Sequence, residues 1–225
     1  MVRRIYHGSD HVIQKPEYGF GKPYNDYGLG FYCTENIDMA KEWAVPEDQD
    51  GFANAYDLDM EGMTVLNLND GSYTVMNWLA ILLENRTFDA PAGLPLEAKK
   101  YITSHFMPDY KKCDIIMGYR ADDSYFSFTQ DFINGTISYQ SLARAMHLGK
   151  MGTQIVLKSR LAFDRIKYAG SEAAYHEDWY QKKKARDDSA RQSYFNQRTA
   201  KWQKGELYII QILDEEIKPD DPRLR

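Results

Sequence analysis

Residues 5–9 read Ile5-Tyr6-His7-Gly8-Ser9, residues 25–34 read Asn25-Asp26-Tyr27-Gly28-Leu29-Gly30-Phe31-Tyr32-Cys33-Thr34, and residues 39–43 read Met39-Ala40-Lys41-Glu42-Trp43. These three blocks decide the expected fold. Arg4 to Ser9 reads as a short strand ending in polar residues, and Gly30 to Thr34 as a second strand. Asn36 suits a helix N-cap, since its side chain accepts from the N–H groups of the following turn. Ile37, Ala40, Trp43 and Ala44 follow at helical spacing and read as a core stripe. Residues 10–28, rich in Gly, Pro, Tyr and Asp, read as a loop, which either lies over a ligand or only connects the strands. Asp26 reads as a turn residue before Tyr27-Gly28 or as a polar group facing a ligand.

Further along, Phe52 to Asp59 and Met63 to Leu68 read as strands, with Asn69-Asp70-Gly71 as a turn. Val75 to Leu83 is apolar nearly all round and predicts a buried helix, and Leu96 to Phe106 a more polar one. Asp114 to Gly118 predicts a buried strand that delivers Ala121-Asp122-Asp123 to a pocket mouth, unless those acids form a solvated turn. Ser138 is expected to cap a helix reaching about Leu148. Thr153 to Lys158 alternates, with Ile155 and Leu157 on one side and Gln154, Val156 and Lys158 on the other. Residues 172–200 predict a charged helix with Tyr175, Trp179, Tyr194 and Phe195 as apolar contacts, and Glu206 to Leu213 a final strand. With no repeat and no low-complexity linker, one α+β domain over residues 1–225 is the simplest account.

The composition narrows the function. A hydrophobic share of 43% in 225 residues supports one sizeable core. The net charge of -5 gives no broad attraction for nucleic acid. Cys33 and Cys113 have neither zinc-site spacing nor a disulfide framework, which fits a reducing cytoplasm. No run reaches the roughly 18 apolar residues of a membrane span, and a strand starting near residue 4 leaves no expected room for a cleavable leader. His11, His105, His147 and His176 lack metal-like spacing, so no metal is expected. Gly28-x-Gly30 leads into a strand and is not a dinucleotide fingerprint.

The landmarks Tyr6-His7-Gly8-Ser9, Asp26 to Thr34, Ala40 to Ala44, Asp114 to Gly118 with Ala121-Asp122-Asp123, Gln154 to Lys158 and Asp220 to Leu224 run in order along the chain. In this the sequence resembles a bacterial family, DUF3990, grouped with the ADP-ribosyltransferase superfamily. The resemblance implies two small packed β-sheets with flanking helices around an NAD cleft. It is similar to the diphtheria-toxin-like branch, whose signature is His, Tyr and Glu on three successive strands. His7 and Tyr32 match the first two positions, and Gln154 stands where that branch has Glu.

On this resemblance His7, Tyr32 and Gln154 are the catalytic candidates, and His7, Gly8, Ser9, Asp26, Tyr32, Thr34, Asp122 and Asp123 the NAD-binding ones. A Gly after the His lets the main chain approach the carboxamide with no Cβ in the way. The imidazole can bond a ribose hydroxyl through one nitrogen while the protein holds the other. The Tyr ring is a face for nicotinamide stacking. A Gln accepts from the ribose 2′-hydroxyl as a Glu does, but brings no charge to offset a developing cation, a role Asp122 and Asp123 are candidates to fill.

The implied activity is mono-ADP-ribosyl transfer from NAD to a macromolecular acceptor, protein or nucleic acid, by a bacterial toxin checked by an antitoxin protein, with no metal and no membrane. Because of Gln154, an NAD glycohydrolase or an NAD-binding sensor is the alternative. A third reading makes the charged helix at 172–200 an interaction surface. Tyr18, Phe20, Tyr24 and Tyr27 read either as a lid over adenine or as packing that fixes the loop.

Overall fold

The first strand, β1 (Val2–Ser9), buries Ile5 and pairs along its full length with β3 (Gly51–Asp59), where His7 stands opposite Asn54. On its other side β1 meets β2 (Phe31–Thr34) at one register position, Tyr6 opposite Thr34. The computed structural model describes residues 1–120, 123–146, 152–198 and 204–225. Its remaining strands are β4 (Val65–Asn67), β5 (Ile115–Gly118), β6 (Gln154–Leu157) and β7 (Ile166–Ala174). All seven form one mixed sheet in the order β4-β5-β6-β2-β1-β3-β7, antiparallel except for β4 beside β5.

The expectation of two packed sheets is thus corrected to one sheet with a narrow seam. Had the β1–β2 ladder continued, Gly8 would oppose Tyr32; instead the strands part after Tyr6 and Thr34. A gap therefore opens between two halves that are each well paired.

Helix α1 (Ile37–Ala44) starts at Asn36, whose side chain accepts from Asp38 N at 2.9 Å, as its N-cap reading requires. Helices α2 (Val75–Asn85), α3 (Leu94–His105), α4 (Asp123–Ile133), α5 (Tyr139–Ala145), α6 (Arg160–Asp164), α7 (His176–Arg198) and α8 (Ile209–Asp214) follow. Every residue from Val75 to Leu83 is buried, so α2 is the centre of the larger core. The sheet separates that core from a smaller one: Val156 belongs to the first, Ile155 and Leu157 to the second, which is the alternation read from the sequence.

Two further expectations change. The final strand expected over Glu206 to Leu213 is helix α8, because Gln211 Oε1 accepts from Tyr208 N at 2.9 Å and Ile209 and Ile212 turn inward three residues apart. The charged helix begins at His176, not 172: residues 172–174 complete β7, and Asp50 Oδ1 accepts from His176 N at 2.8 Å to open α7. Ser138 does cap α5, and the expected end of that helix near Leu148 lies outside the described residues. Helices α4 and α6, and strand β7, have no counterpart among the expected elements.

Candidate functional site

At the seam the structure has a cleft of about 230 Å³. His7 and Gly8 enter it from β1, Tyr32 from β2 and Gln154 from β6, while the 25–28 loop adds Asn25 and Asp26. Trp43 of α1, Arg86 after α2 and Arg120 after β5 complete the lining.

His7 Nδ1 lies 2.7 Å from the Tyr32 carbonyl oxygen. A carbonyl only accepts, so Nδ1 carries the proton, and in the neutral ring Nε2 is an acceptor. Burial pushes the His7 pKa below its ordinary value; the bond to Tyr32 opposes this, and the nearby His11 adds to it. The ring packs on Phe31 with centroids 4.3 Å apart. Behind it, buried Asn54 donates through Nδ2 to Ser9 Oγ at 2.8 Å and accepts at Oδ1 from Ile13 N at 3.0 Å, which fixes the chain leaving β1.

Gly8 has a structural reason of its own. A Cβ there would collide with the Ala40 carbonyl oxygen and lie 2.8 Å from Ala44 N, so glycine lets α1 sit directly on β1. This close approach brings Trp43 to the cleft.

The Tyr32 hydroxyl donates to the Gly28 carbonyl and accepts from Tyr27 N at 3.1 Å, so its ring borders the cleft while its tip holds the loop. Burial raises its pKa. Tyr27 is fully buried and donates to the Tyr119 carbonyl at 2.6 Å, and the Trp78 indole donates to the same oxygen at 3.1 Å. That pair of bonds fixes the main chain immediately before Arg120. Lys158 Nζ donates to the Tyr27 carbonyl at 2.6 Å and to that of Leu29, and burial lowers its pKa to about 8.

Asp26 is a turn residue, with Gly28 N donating to the Asn25 carbonyl at 2.8 Å across it, and it also lines the cleft. It is 4% exposed, and Oδ1 accepts from Arg86 NH1 at 2.9 Å. The Arg120 guanidinium lies 4.0 Å over the Trp43 ring. In the cleft lining, Gln154 Oε1, an acceptor, and Trp43 Nε1, a donor, are buried without a hydrogen-bond partner among the described residues. Buried polar groups are seldom left unsatisfied, so both atoms are available to hydrogen-bond a group that enters the cleft.

Ser9 and Thr34 lie near the cleft but do not line it. Ser9 Oγ donates to the His11 carbonyl at 2.7 Å, and Thr34 Oγ1 accepts from Asn36 N at 3.2 Å, so both shape turns. Asp122 lies outside the described residues, as does the side chain of Asp123, which opens α4. Of the four loop aromatics, Tyr27 is core, whereas Tyr18, Phe20 and Tyr24 are exposed. A larger hollow of about 360 Å³ lies on the Phe31 side, lined by residues 11–17 with Phe20.

Sequence reasoning passed over Asn25, Trp43, Arg86 and Arg120. Arg120 carried a usable signal, since it directly follows the Asp114 to Gly118 strand and Tyr119 at the point where polar groups were expected. Arg86 carried none, because only folding sets the end of α2 beside Asp26.

Residues 3–168 match a family described as "Protein of unknown function (DUF3990)". The chain belongs to this family. The DUF3990 segment includes every cleft residue named above, and it ends inside β7, leaving α7 and α8 outside it. No curated protein matches the chain, and no solved structure does. Among the described residues no group of three or more His, Cys, Asp or Glu could hold a metal ion, and no helix is long and apolar enough to cross a membrane.

Proposed function

We propose that the cleft binds NAD by its nicotinamide end and that the protein transfers ADP-ribose to a macromolecular acceptor. The observation that carries this reading is the convergence of His7, Tyr32 and Gln154, from three adjacent strands, on one cleft with a buried, unpartnered Gln154 Oε1. Support also comes from the resemblance to the His-Tyr-Glu branch, which alone suggests the toxin role and an antitoxin partner.

The residues present suit the ligand. The neutral His7 ring offers Nε2 to a ribose hydroxyl, and Gln154 Oε1 accepts from another. The Tyr32 ring gives a stacking face whose angle is fixed by the hydroxyl bonds to the loop. Trp43 Nε1 donates to an acceptor at the far wall. NAD supplies a glycosidic C–N bond: its electron pair leaves with neutral nicotinamide, the acceptor's lone pair bonds to the ribose carbon, and the acceptor's proton is released. The residues orient that bond and exclude water around it.

A second reading keeps the cleft and drops the transfer, giving a glycohydrolase or a sensor. It is favoured by the neutral Gln154 side chain and by the pairing of Asp26 with Arg86, which leaves its carboxylate compensated. The test uses purified protein with adenylate-labelled NAD, with and without lysate, beside His7→Ala and Gln154→Ala. Label on macromolecules that disappears in both variants supports transfer. Nicotinamide release without label selects the hydrolase, and saturable binding without release the sensor. Absence of NAD binding would discard all three.

A further inference from the structure

Arg86 stands at the cleft wall with its side chain held by a carboxylate and by a ring. Its NH1 donates to Asp26 Oδ1 at 2.9 Å, and its guanidinium carbon lies 5.2 Å from the centroid of the Phe126 ring of α4. Phe126 in turn stacks on the buried Phe88, with centroids 4.2 Å apart. We propose that Arg86 is the anion-recognising residue of the cleft and holds the diphosphate of the dinucleotide. This deepens, and rests on, the reading of the cleft as an NAD site.

The main chain begins the positioning. Arg86 directly follows α2, and its N–H donates to the Leu82 carbonyl at 2.9 Å, which ties it to the last turn of that buried helix. Asn85, just before it, donates through Nδ2 to the Ile81 carbonyl at 2.8 Å and to the Tyr110 hydroxyl at 3.1 Å. From this base the side chain reaches the cleft, which Asp26 also lines. Ordering a long side chain on binding costs rotamer freedom. Here the ion pair and the ring restrict that freedom before any ligand arrives.

The two partners differ in exposure: the Asp26 side chain is 6% exposed and the Arg86 side chain 26%. The carboxylate is enclosed, while part of the guanidinium stays open. Asp26 engages NH1, and a guanidinium carries further N–H donors in the same plane, in a fork that matches two phosphate oxygens. A ring on its face does not use those in-plane donors. His7 Nε2 and Gln154 Oε1 are acceptors and suit hydroxyl groups, whereas a guanidinium only donates and suits an anion. The cleft's volume of about 230 Å³ is below the roughly 300–1,000 Å³ of pockets that enclose a whole drug-sized ligand. The diphosphate therefore belongs at a partly open wall, which is where Arg86 stands.

The test measures binding of four probes by titration calorimetry: NAD, ADP-ribose, inorganic pyrophosphate and nicotinamide riboside, which lacks the diphosphate. Proteins are the full chain, Arg86→Lys, an Asp26→Asn, Arg86→Gln double variant and, as a control, the exposed Lys184→Gln. Arg86→Lys keeps the charge and loses the fork. The double variant removes both charges together, so no enclosed carboxylate is left without its Arg86 partner. Arg86→Lys is expected to weaken NAD, ADP-ribose and pyrophosphate severalfold with nicotinamide riboside unchanged. In the double variant the ratio of NAD to nicotinamide riboside affinity should fall about tenfold, the loss of one charged hydrogen bond, and Lys184→Gln should leave it unaltered. A residue that only braces the loop would weaken NAD and nicotinamide riboside by the same factor. That result, or an unchanged ratio, would overturn the assignment and leave the NAD reading standing. Arg86-dependent binding of pyrophosphate without any binding of NAD or nicotinamide riboside would keep the anion site and remove the NAD reading. No binding of any probe would remove both.

Discussion

His7 Nδ1 donates to the main-chain oxygen of Tyr32 across the seam where β1 and β2 stop pairing, at 2.7 Å. The side chain thus satisfies a carbonyl at the point where the ladder stops, and the same bond selects the tautomer whose Nε2 can accept from a ligand. One contact both supports the gap and leaves Nε2 as an acceptor.

Stability should follow the His7 proton. Its folded-state pKa lies below the ordinary 6.5, so below that value the unfolded chain binds a proton that the folded one resists. His7's contribution is present in full above pH 6.5, falls as pH drops through it, and levels off below the folded-state value. Urea midpoints between pH 8 and pH 5 should decline less steeply for His7→Gln, which can still donate to the Tyr32 carbonyl. Equal slopes would contradict this account of the ring.

Gly8→Ala should separate β1 from α1, because the new methyl meets the Ala40 carbonyl, a main-chain atom that cannot rotate away. A loss of about 1–3 kcal/mol in urea unfolding is expected, as for overpacked cores. Ligand affinity should fall with it, since Trp43 moves with α1. An unchanged midpoint would mean that the helix shifts freely.

Tyr32→Phe keeps the ring and removes both hydroxyl bonds to the 27–28 loop. We expect a stability loss of about 1–2 kcal/mol, chiefly from the unsatisfied Tyr27 N–H, and faster hydrogen exchange over residues 25–30. Tyr32→Ala should in addition remove the stacking face, so its affinity for NAD should be well below that of Tyr32→Phe. Similar affinities for the two variants would count against a stacking role.

Arg186→Ala leaves the Glu42 carboxylate nearly buried without its Arg186 partner. Breaking such a pair costs about 3 kcal/mol or more, whereas replacing both partners by neutral groups of like size costs far less. Limited proteolysis should therefore cut α7 in Arg186→Ala and spare it in a Glu42→Gln, Arg186→Met double variant. Equal protection of both would show that Trp179 alone holds the helix.

Local signals were readable where one short-range rule acts. Asn36 and Ser138 capped as expected, and Val75 to Leu83 formed the buried helix. They failed where a distant partner decides. Glu206 to Leu213 satisfies a strand pattern on paper, yet the Gln211 cap and the inward turn of Ile209 and Ile212 make a helix from Ile209. Asp50 accepts from His176 N at the start of α7, from more than a hundred residues away.

By itself the sequence determined several of the segments that line the cleft, because strand and helix periods and the His7-Gly8 step are local properties of the chain. It placed His7, Tyr32 and Gln154 on strands, and the structure brings those strands side by side. Only the tertiary structure decided that one sheet, rather than two, carries them, that its seam opens after Tyr6 and Thr34, and that Trp43, Arg86 and Arg120 close the cleft. The reason is physical: burial, ion pairing and ring stacking depend on distances between residues far apart in the chain, and no spacing in the sequence encodes those distances.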